Sequence, residues 1–226
     1  MANASREEYQ ELDVLIVPSP ILSAEGDAFL DIDPVTGMFT GGHLRLCAAA
    51  EFSTRWRPRS IAVVGGLHAE HGTRMTDTME EFIKRRNSDA RVQKVNSLPC
   101  TRHNVVALLN QLGRQLEGKR VAILTNEYHL RRFLEFWSRL QNEYEFRVPE
   151  PLGIAAEWIA PSVETDFTSA ALERRRKSEG RGIADLRAGK YVDRCLAELS
   201  SFRDHIAKSP ESYLSPHERK RMMFAG

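Results

Sequence analysis

Residues 124–132, LTNEYHLRR, lie between an apolar run, VAIL, and a helix-like pattern, FLEFW. His129 has an ordinary pKa near neutrality, which suits it to give or take a proton at working pH. Arg132 follows one helical turn later, and its planar guanidinium matches a phosphate or carboxylate through paired hydrogen bonds. Thr125 and Asn126 would set an oxygen or an amide beside the unpaired N–H groups of a helix start, where anions bind. Glu127 would orient His129 or meet a ribose hydroxyl. The chemistry expected is acid–base assistance on a polar, anionic ligand. The plainer alternative is a helix cap at Asn126 with His129 packed over a sheet.

Three other joints carry similar groups. PSP ends the first apolar run and offers Ser19. GGLHAEHGTR follows the second and offers Gly65, Gly66 and Arg74. NSLPCTRHN lies beyond the third and offers Thr101 and Asn104. Arg45, in the segment before the second run, is a further cation able to assist Arg132. Ser19 is a poor nucleophile, because Pro18 and Pro20 flank it and no GxSxG elbow surrounds it. His68 and His71 sit three apart and would need His103 or His129 to complete a metal site; the segment differs from the HExxH pattern. Cys100 stands just before a helix, where the dipole lowers a thiol pKa, and His103 is near enough in sequence for a Cys–His pair. Spacing alone does not establish that geometry. Neither a GxGxxG fingerprint nor a P-loop is present.

The elements that would position these joints alternate. VLIVP from Val14, IAVVGG from Ile61 and RVAILT read as buried strands, and RVQKV near Val92 as a weaker one. EFRVPEP is the expected fifth. Between them, residues 44–56, 76–86, 104–116 and 130–137 carry helical spacing. Thr76 or Asp77 is the expected cap of the second helix and Thr101 that of the third, with Gly118 ending the third. Residues 21–42 are punctuated by glycine, proline and aspartate and read as a long loop. Continuous apolar runs alternating with amphipathic helices predict a mostly parallel sheet covered on both faces, an α/β/α architecture. Ligands of such sheets bind beyond the carboxyl ends of the strands, which would gather all four joints on one rim. Residues 1–151 are expected to form this core and residues 152–226 a C-terminal helical addition. Within that addition, ERRRK reads as a solvated helix face, with phosphate contact as the alternative.

Bulk composition narrows the classes. The 226 residues suit one domain with a terminal elaboration, and 32 basic against 31 acidic residues leave a formal charge of +1, no footprint for nucleic acid. Cys47, Cys100 and Cys195 are too few and too scattered for a disulfide scaffold or a CxxC site. No apolar stretch is long enough for a bilayer, and the N-terminus MANASREEYQELD lacks a signal core, so a cytoplasmic protein is expected.

Three of the joints also carry a resemblance. AILTNEYHLRR resembles the strand and Thr-Ser/Asn-x-Tyr-His-x-x-Arg segment of the DUF218 family, the YdcF-like or SanA/ElyC-like proteins. Thr101 and Asn104 in NSLPCTRHN match that family's Thr-x-x-Asn pair, and IAVVGG ends in its double glycine. The resemblance covers roughly residues 14–151 and implies a Rossmann-like fold, with His129 and Arg132 at the family's His and Arg positions. It also brings in S-adenosylmethionine as a cofactor, since binding of that molecule has been suggested within the group. The chain departs from the family at Pro18-Ser19-Pro20, where a glycine-rich turn is usual, and before Met75, where an acidic residue is frequent.

The function expected is that of a small-molecule enzyme with a nucleotide-like or phosphorylated ligand. Gly65, Gly66 and the N–H groups near Thr101 and Asn126 would cradle the anion, and His129 would be the acid or base. Phosphoryl hydrolysis or transfer and S-adenosylmethionine-dependent methyl transfer both remain open, as does a non-enzymatic ligand-binding or interaction domain. A homodimer is compatible with this reading; nucleic-acid and membrane partners are not expected.

Overall fold

The computed structural model describes residues 9, 11–20, 29–66, 74–98, 100–161, 168–191 and 208–224. Five parallel strands, β1 (Val14–Pro18), β2 (Ser60–Gly65), β3 (Val92–Asn96), β4 (Val121–Thr125) and β5 (Leu152–Ala155), form one sheet in the order β3-β2-β1-β4-β5. The crossover helices are α1 (Gly42–Arg55), α2 (Met75–Arg86), α3 (Thr101–Leu116) and α4 (Glu127–Gln141).

Side chains alternate across each strand, and the two sets meet different helices. Val14 and Ile16 of β1, with Val121 and Ile123 of β4, pack on α3 and α4 through Leu108, Leu109, Phe133 and Trp137. Leu15 and Val17, with Ala122 and Leu124, pack on α1 and α2 through Leu46, Phe52, Met79 and Ile83. Burial on both sides explains the unbroken apolar runs, and the molecule is a three-layer α/β/α, Rossmann-like fold. Val105, Leu108, Leu109, Leu112 and Leu116 give α3 its inward stripe. Each such side chain contributes about 1.5–3 kcal/mol by leaving water. The chain moves outward from β1 through β2 to β3, then returns across the sheet to β4 on the other side of β1. The switch point of this topology therefore lies between β1 and β4, where a ligand crevice is expected.

Several expectations are corrected in detail. The fifth strand is Leu152–Ala155, not residues 145–151, so the sheet runs just past position 151. α2 starts at Met75 behind Arg74, ahead of both Thr76 and Asp77. Cys100, not Thr101, caps α3, its sulfur accepting the N–H of His103. Gly118 does follow α3 with φ +67°, the left-handed stop that glycine favours.

Beyond β5 come α5 (Ala156–Ile159), α6 (Ser169–Arg187), α7 (Pro210–Tyr213) and α8 (Pro216–Phe224). α6 lies along α4. Arg175 stacks over Tyr128, Glu179 meets Arg132, and Arg187 meets Glu135 farther down. α7 and α8 are fastened to α3 by Asn110 Nδ2 donating to Leu214 O and by the Arg102–Glu218 ion pair. None of the described helices is long and apolar enough to cross a membrane.

Candidate functional site

β1 and β4 end side by side, and the two helices that follow β3 and β4 both start above them. α3 brings Thr101, β4 ends in Thr125, and α4 carries His129 in its first turn. These three form a chain: Thr101 Oγ1 lies 3.0 Å from His129 Nε2, and Thr125 Oγ1 lies 3.1 Å from Nδ1. All three are buried. The neutral ring donates from one nitrogen and accepts at the other, and a threonine hydroxyl can answer either need. Burial, followed by the charges of Arg132, Arg45 and Arg175, holds the imidazole pKa well below its ordinary value. His129 is therefore a neutral imidazole at physiological pH.

Beneath this chain lies Arg45, only 3% exposed. Its Nε and one terminal nitrogen donate to Asn126 Oδ1 at 3.1 and 2.7 Å. The other terminal nitrogen donates to the carbonyls of Pro18 and Ser19 at 3.0 and 3.1 Å, and a longer bond reaches Thr40 O. A guanidinium has five N–H donors, and protein oxygens occupy all five. Arg45 thus ties the ends of β1 and β4 together and has no donor left for a direct bond to a ligand.

Asn126 sits at the N-cap position of α4, yet its side chain makes no cap bond. It accepts from Arg45 and donates from Nδ2 to Glu157 Oε1 at 3.1 Å. Glu157 supplies the cap in its place: its Oε2 accepts the N–H of Glu127 at 3.0 Å. The α4 start expected to hold a ligand anion therefore already holds a carboxylate from α5. Tyr128 donates its hydroxyl to Thr40 O at 2.6 Å, which pins the loop before α1 to α4.

Arg132 projects toward α6. Its Nε lies 2.8 Å from Glu179 Oε2, and Arg175 Nε lies 3.1 Å from Oε1 of the same carboxylate. Both contacts are at ion-pair distance with N–H directions off the hydrogen-bond line, so the attraction is coulombic. Glu179 is buried, which raises its pKa, while Arg132, Arg175 and Arg45 oppose that rise. Three arginines (Arg45, Arg132, Arg175) thus cluster at the rim and all bear on His129, with Asp31, Glu157 and Glu179 among the described carboxylates within reach of their charge.

The rim gathers Ser19, Arg45, Thr101, Thr125, Asn126, His129 and Arg132, and places the other expected residues differently. Gly65 is not an open cradle: a Cβ there would lie 2.5 Å from Ser19 Cβ, so the glycine permits close approach of two strand ends. Gly66 accepts the N–H of Met75 through its carbonyl. Arg74 is exposed at the start of α2. Asn104 accepts from Ser97 Oγ and closes the turn after β3. The exposed side chain of Glu127 has no described bond to His129, whose orientation comes from the two threonines. Cys100 Sγ does lie 3.0 Å from His103 Nδ1, the distance that spacing alone left open. His68, His71 and Cys195 fall outside the described residues. Among the described ones, no group of three His, Cys, Asp or Glu side chains could hold a metal.

Sequence reasoning missed Glu157, Arg175 and Glu179. ERRRK is solvated only in part, because Arg175 is turned inward onto Tyr128 and Glu179. The four-residue spacing of Arg175 and Glu179, on a helix whose buried positions include Ala171 and Gly182, was the available signal.

Comparison of this chain with protein-family models, with curated proteins and with solved structures gives no match.

Proposed function

We propose that this protein is a small-molecule enzyme acting on a nucleotide-like or phosphorylated ligand at the β1/β4 switch point. Phosphoryl hydrolysis or transfer is the preferred reaction class. The observation that supports it is the Thr101–His129–Thr125 chain beside three clustered arginines, Arg132, Arg45 and Arg175. In this reading Thr125 accepts Nδ1–H and fixes the tautomer. Nε2 then carries the lone pair that accepts the Thr101 proton or, through Thr101, a proton from a bound hydroxyl or water. Arg132 and Arg175 neutralise the oxygens of the ligand, and Arg45 adds field from below.

The same charge ranks ligands. A sulfonium such as S-adenosylmethionine brings a positive centre next to the three arginines that already bear on His129, whereas a phosphate complements them. Methyl transfer is therefore the less favoured chemistry. The resemblance to the DUF218 family is part of this proposal and covers the His129 and Arg132 positions.

One observation favours a second reading. His129 is 5% exposed and both its ring nitrogens are engaged. A ligand-binding domain without turnover would keep the same rim and use the imidazole as a strut. A thermal-shift panel of nucleotides, sugar phosphates and S-adenosylmethionine, followed by turnover assays on whichever class stabilises the protein, separates the two. The enzyme reading predicts that His129→Gln keeps the ligand-induced shift and loses turnover. Unchanged turnover removes His129 from the chemistry; stabilisation without turnover in the wild type leaves the binding domain.

A further inference from the structure

A second polar cleft lies at the opposite end of the sheet. It has a volume of about 440 Å³ and is lined by Arg57, Arg59, Arg91 and Asp89, with Ser53 and Asn87 between them. Pro58, Ile61 and Ala90 supply an apolar part of its wall. The cleft sits where α1 hands over to β2 and α2 to β3, at the amino ends of those strands. β2 alone separates it from the Gly65 end by roughly 17 Å, at 3.3 Å per residue. It shares no residue with the rim.

Its walls are fixed by the backbone. Arg59 N donates to Leu12 O, Ile61 N to Arg91 O, and Ala90 N to Asn87 O. Asn87 Nδ2 donates to Ser53 Oγ at 3.1 Å and joins the two helix ends. Arg57 has φ +50°, the one described non-glycine residue in the left-handed region, directly before a proline. This turn puts the guanidinium-bearing residues on either side of Pro58 into the same cleft.

The helix ends do not account for these arginines. The last turns of α1 and α2 expose carbonyl ends that attract cations, but Arg55 and Arg86 already stand in those turns, stacked over Trp56 and Phe82. Arg57, Arg59 and Arg91 lie beyond them. Only Arg59 has a described ion pair, with Asp13 at 3.4 Å. Three guanidiniums against two carboxylates (Asp89 in the lining and Asp13 on Arg59), with Arg57 and Arg91 in no described ion pair, make this concave, partly apolar cleft of ligand size a receptor for a compact anion.

We infer that this cleft is a second anion site, taking the phosphate or pyrophosphate group of a small molecule between Arg57 and Arg91, with Arg59 assisting and Asn87 donating. The source of the group, free pyrophosphate or a nucleoside polyphosphate, shares this chemistry. The inference is independent of the function proposed for the rim.

Calorimetric titration of the intact protein with inorganic pyrophosphate at low ionic strength tests it, using Arg57→Gln/Arg91→Gln beside Arg55→Gln/Arg86→Gln as a control that removes the same charge outside the cleft. Saturable binding by the wild type is expected. It should weaken by about tenfold or more in the first double variant and by less than about twofold in the second, as loss of paired charged hydrogen bonds differs from loss of diffuse field. All four of these side chains are exposed, and matching thermal melts confirm that each variant is folded. A nucleoside triphosphate in place of pyrophosphate then shows whether the attached group adds affinity. The inference is overturned if the wild type does not bind pyrophosphate, if the cleft variant binds as the wild type does, or if both double variants lose affinity equally. Pyrophosphate that binds only at the rim gives the second of these outcomes and leaves the rim proposal standing.

Discussion

Arg45 gives two of its five donors to a single oxygen, Asn126 Oδ1, at 3.1 and 2.7 Å, in the buried seam between β1 and β4. The contact joins α1 to the start of α4, 81 residues away in sequence, and it orients the Asn126 amide so that Nδ2 meets Glu157. Asn126→Ala leaves two charged N–H donors without an acceptor in a site closed to water. Bonds to charged groups contribute about 1.5–3 kcal/mol each, so a loss of about 3 kcal/mol in unfolding free energy is expected. Urea unfolding with an unchanged m-value measures it. A loss below about 1 kcal/mol would mean that solvent or another oxygen replaces the amide.

Gly41 is shaped by the same amide. It precedes α1 with φ +57°, and a Cβ there would lie 2.1 Å from Asn126 Nδ2. Gly41→Ala therefore combines left-handed strain with displacement of a side chain bonded on both sides. A cost of about 2–4 kcal/mol is expected, against about 1 kcal/mol for strain alone. In the Asn126→Ala background the clash disappears, and the additional cost of Gly41→Ala should fall to the strain part. Full additivity in that double-mutant cycle would contradict the contact.

The sheet was legible because its strands are buried on both faces, so VLIV, IAVV and VAIL announce themselves without regard to partners. β5 was harder. LGIA has four residues and a glycine, and Gly153 lies 3.4 Å, counted from its absent Cβ, from Leu130 and Leu134, where a larger side chain would crowd α4. The neighbouring EFRVPEP looked more strand-like only because of isolated Phe146 and Val148. For the site, the rule that ligand groups collect at strand carboxyl ends brought Thr101, Thr125 and His129 together correctly. It had no power over Glu157 and Glu179, which come from segments that meet α4 only after the chain has folded. Nor could it foresee that Arg45 would spend all its donors on the protein, since that depends on the carbonyls of Pro18 and Ser19 converging on one point.

The depressed pKa of His129 carries a pH signature. An imidazole in the unfolded chain takes up its proton near pH 6.5, while the folded one resists to a lower pH. Between those two values the unfolded state binds more protons, so stability must fall as pH falls through that window and is unaffected by this group above it. His129→Gln removes the titration and should flatten the stability–pH curve below about pH 6.5, with Gln able to bridge one of the two threonines. Thr125→Val tests the geometry separately: it removes the partner of Nδ1 while keeping the shape, and about 1–3 kcal/mol should be lost. A curve for His129→Gln that parallels the wild type below pH 6.5 would show that the ring protonates as easily folded as unfolded.

Glu179 lies between Arg132 and Arg175 and fastens α6 to α4 at the rim, with side-chain exposures of 5%, 13% and 18%. Removing it by Glu179→Ala strands two guanidiniums in a poorly hydrated place, and such removals cost about 3–5 kcal/mol. The consequence for ligands runs the other way. If Arg132 and Arg175 receive a phosphate, the carboxylate between them is its competitor, and the variant should show a larger thermal stabilisation by phosphate or nucleotide than the wild type despite a lower starting melting temperature. The double variant Glu179→Ala/Arg132→Ala controls for this. It recovers part of the stability, because one unpaired charge leaves with its partner, and it loses the extra ligand response. A variant Glu179→Ala that melts lower and responds to phosphate no more than the wild type would make the Arg132–Glu179–Arg175 group a structural clasp and take Arg132 out of the ligand site.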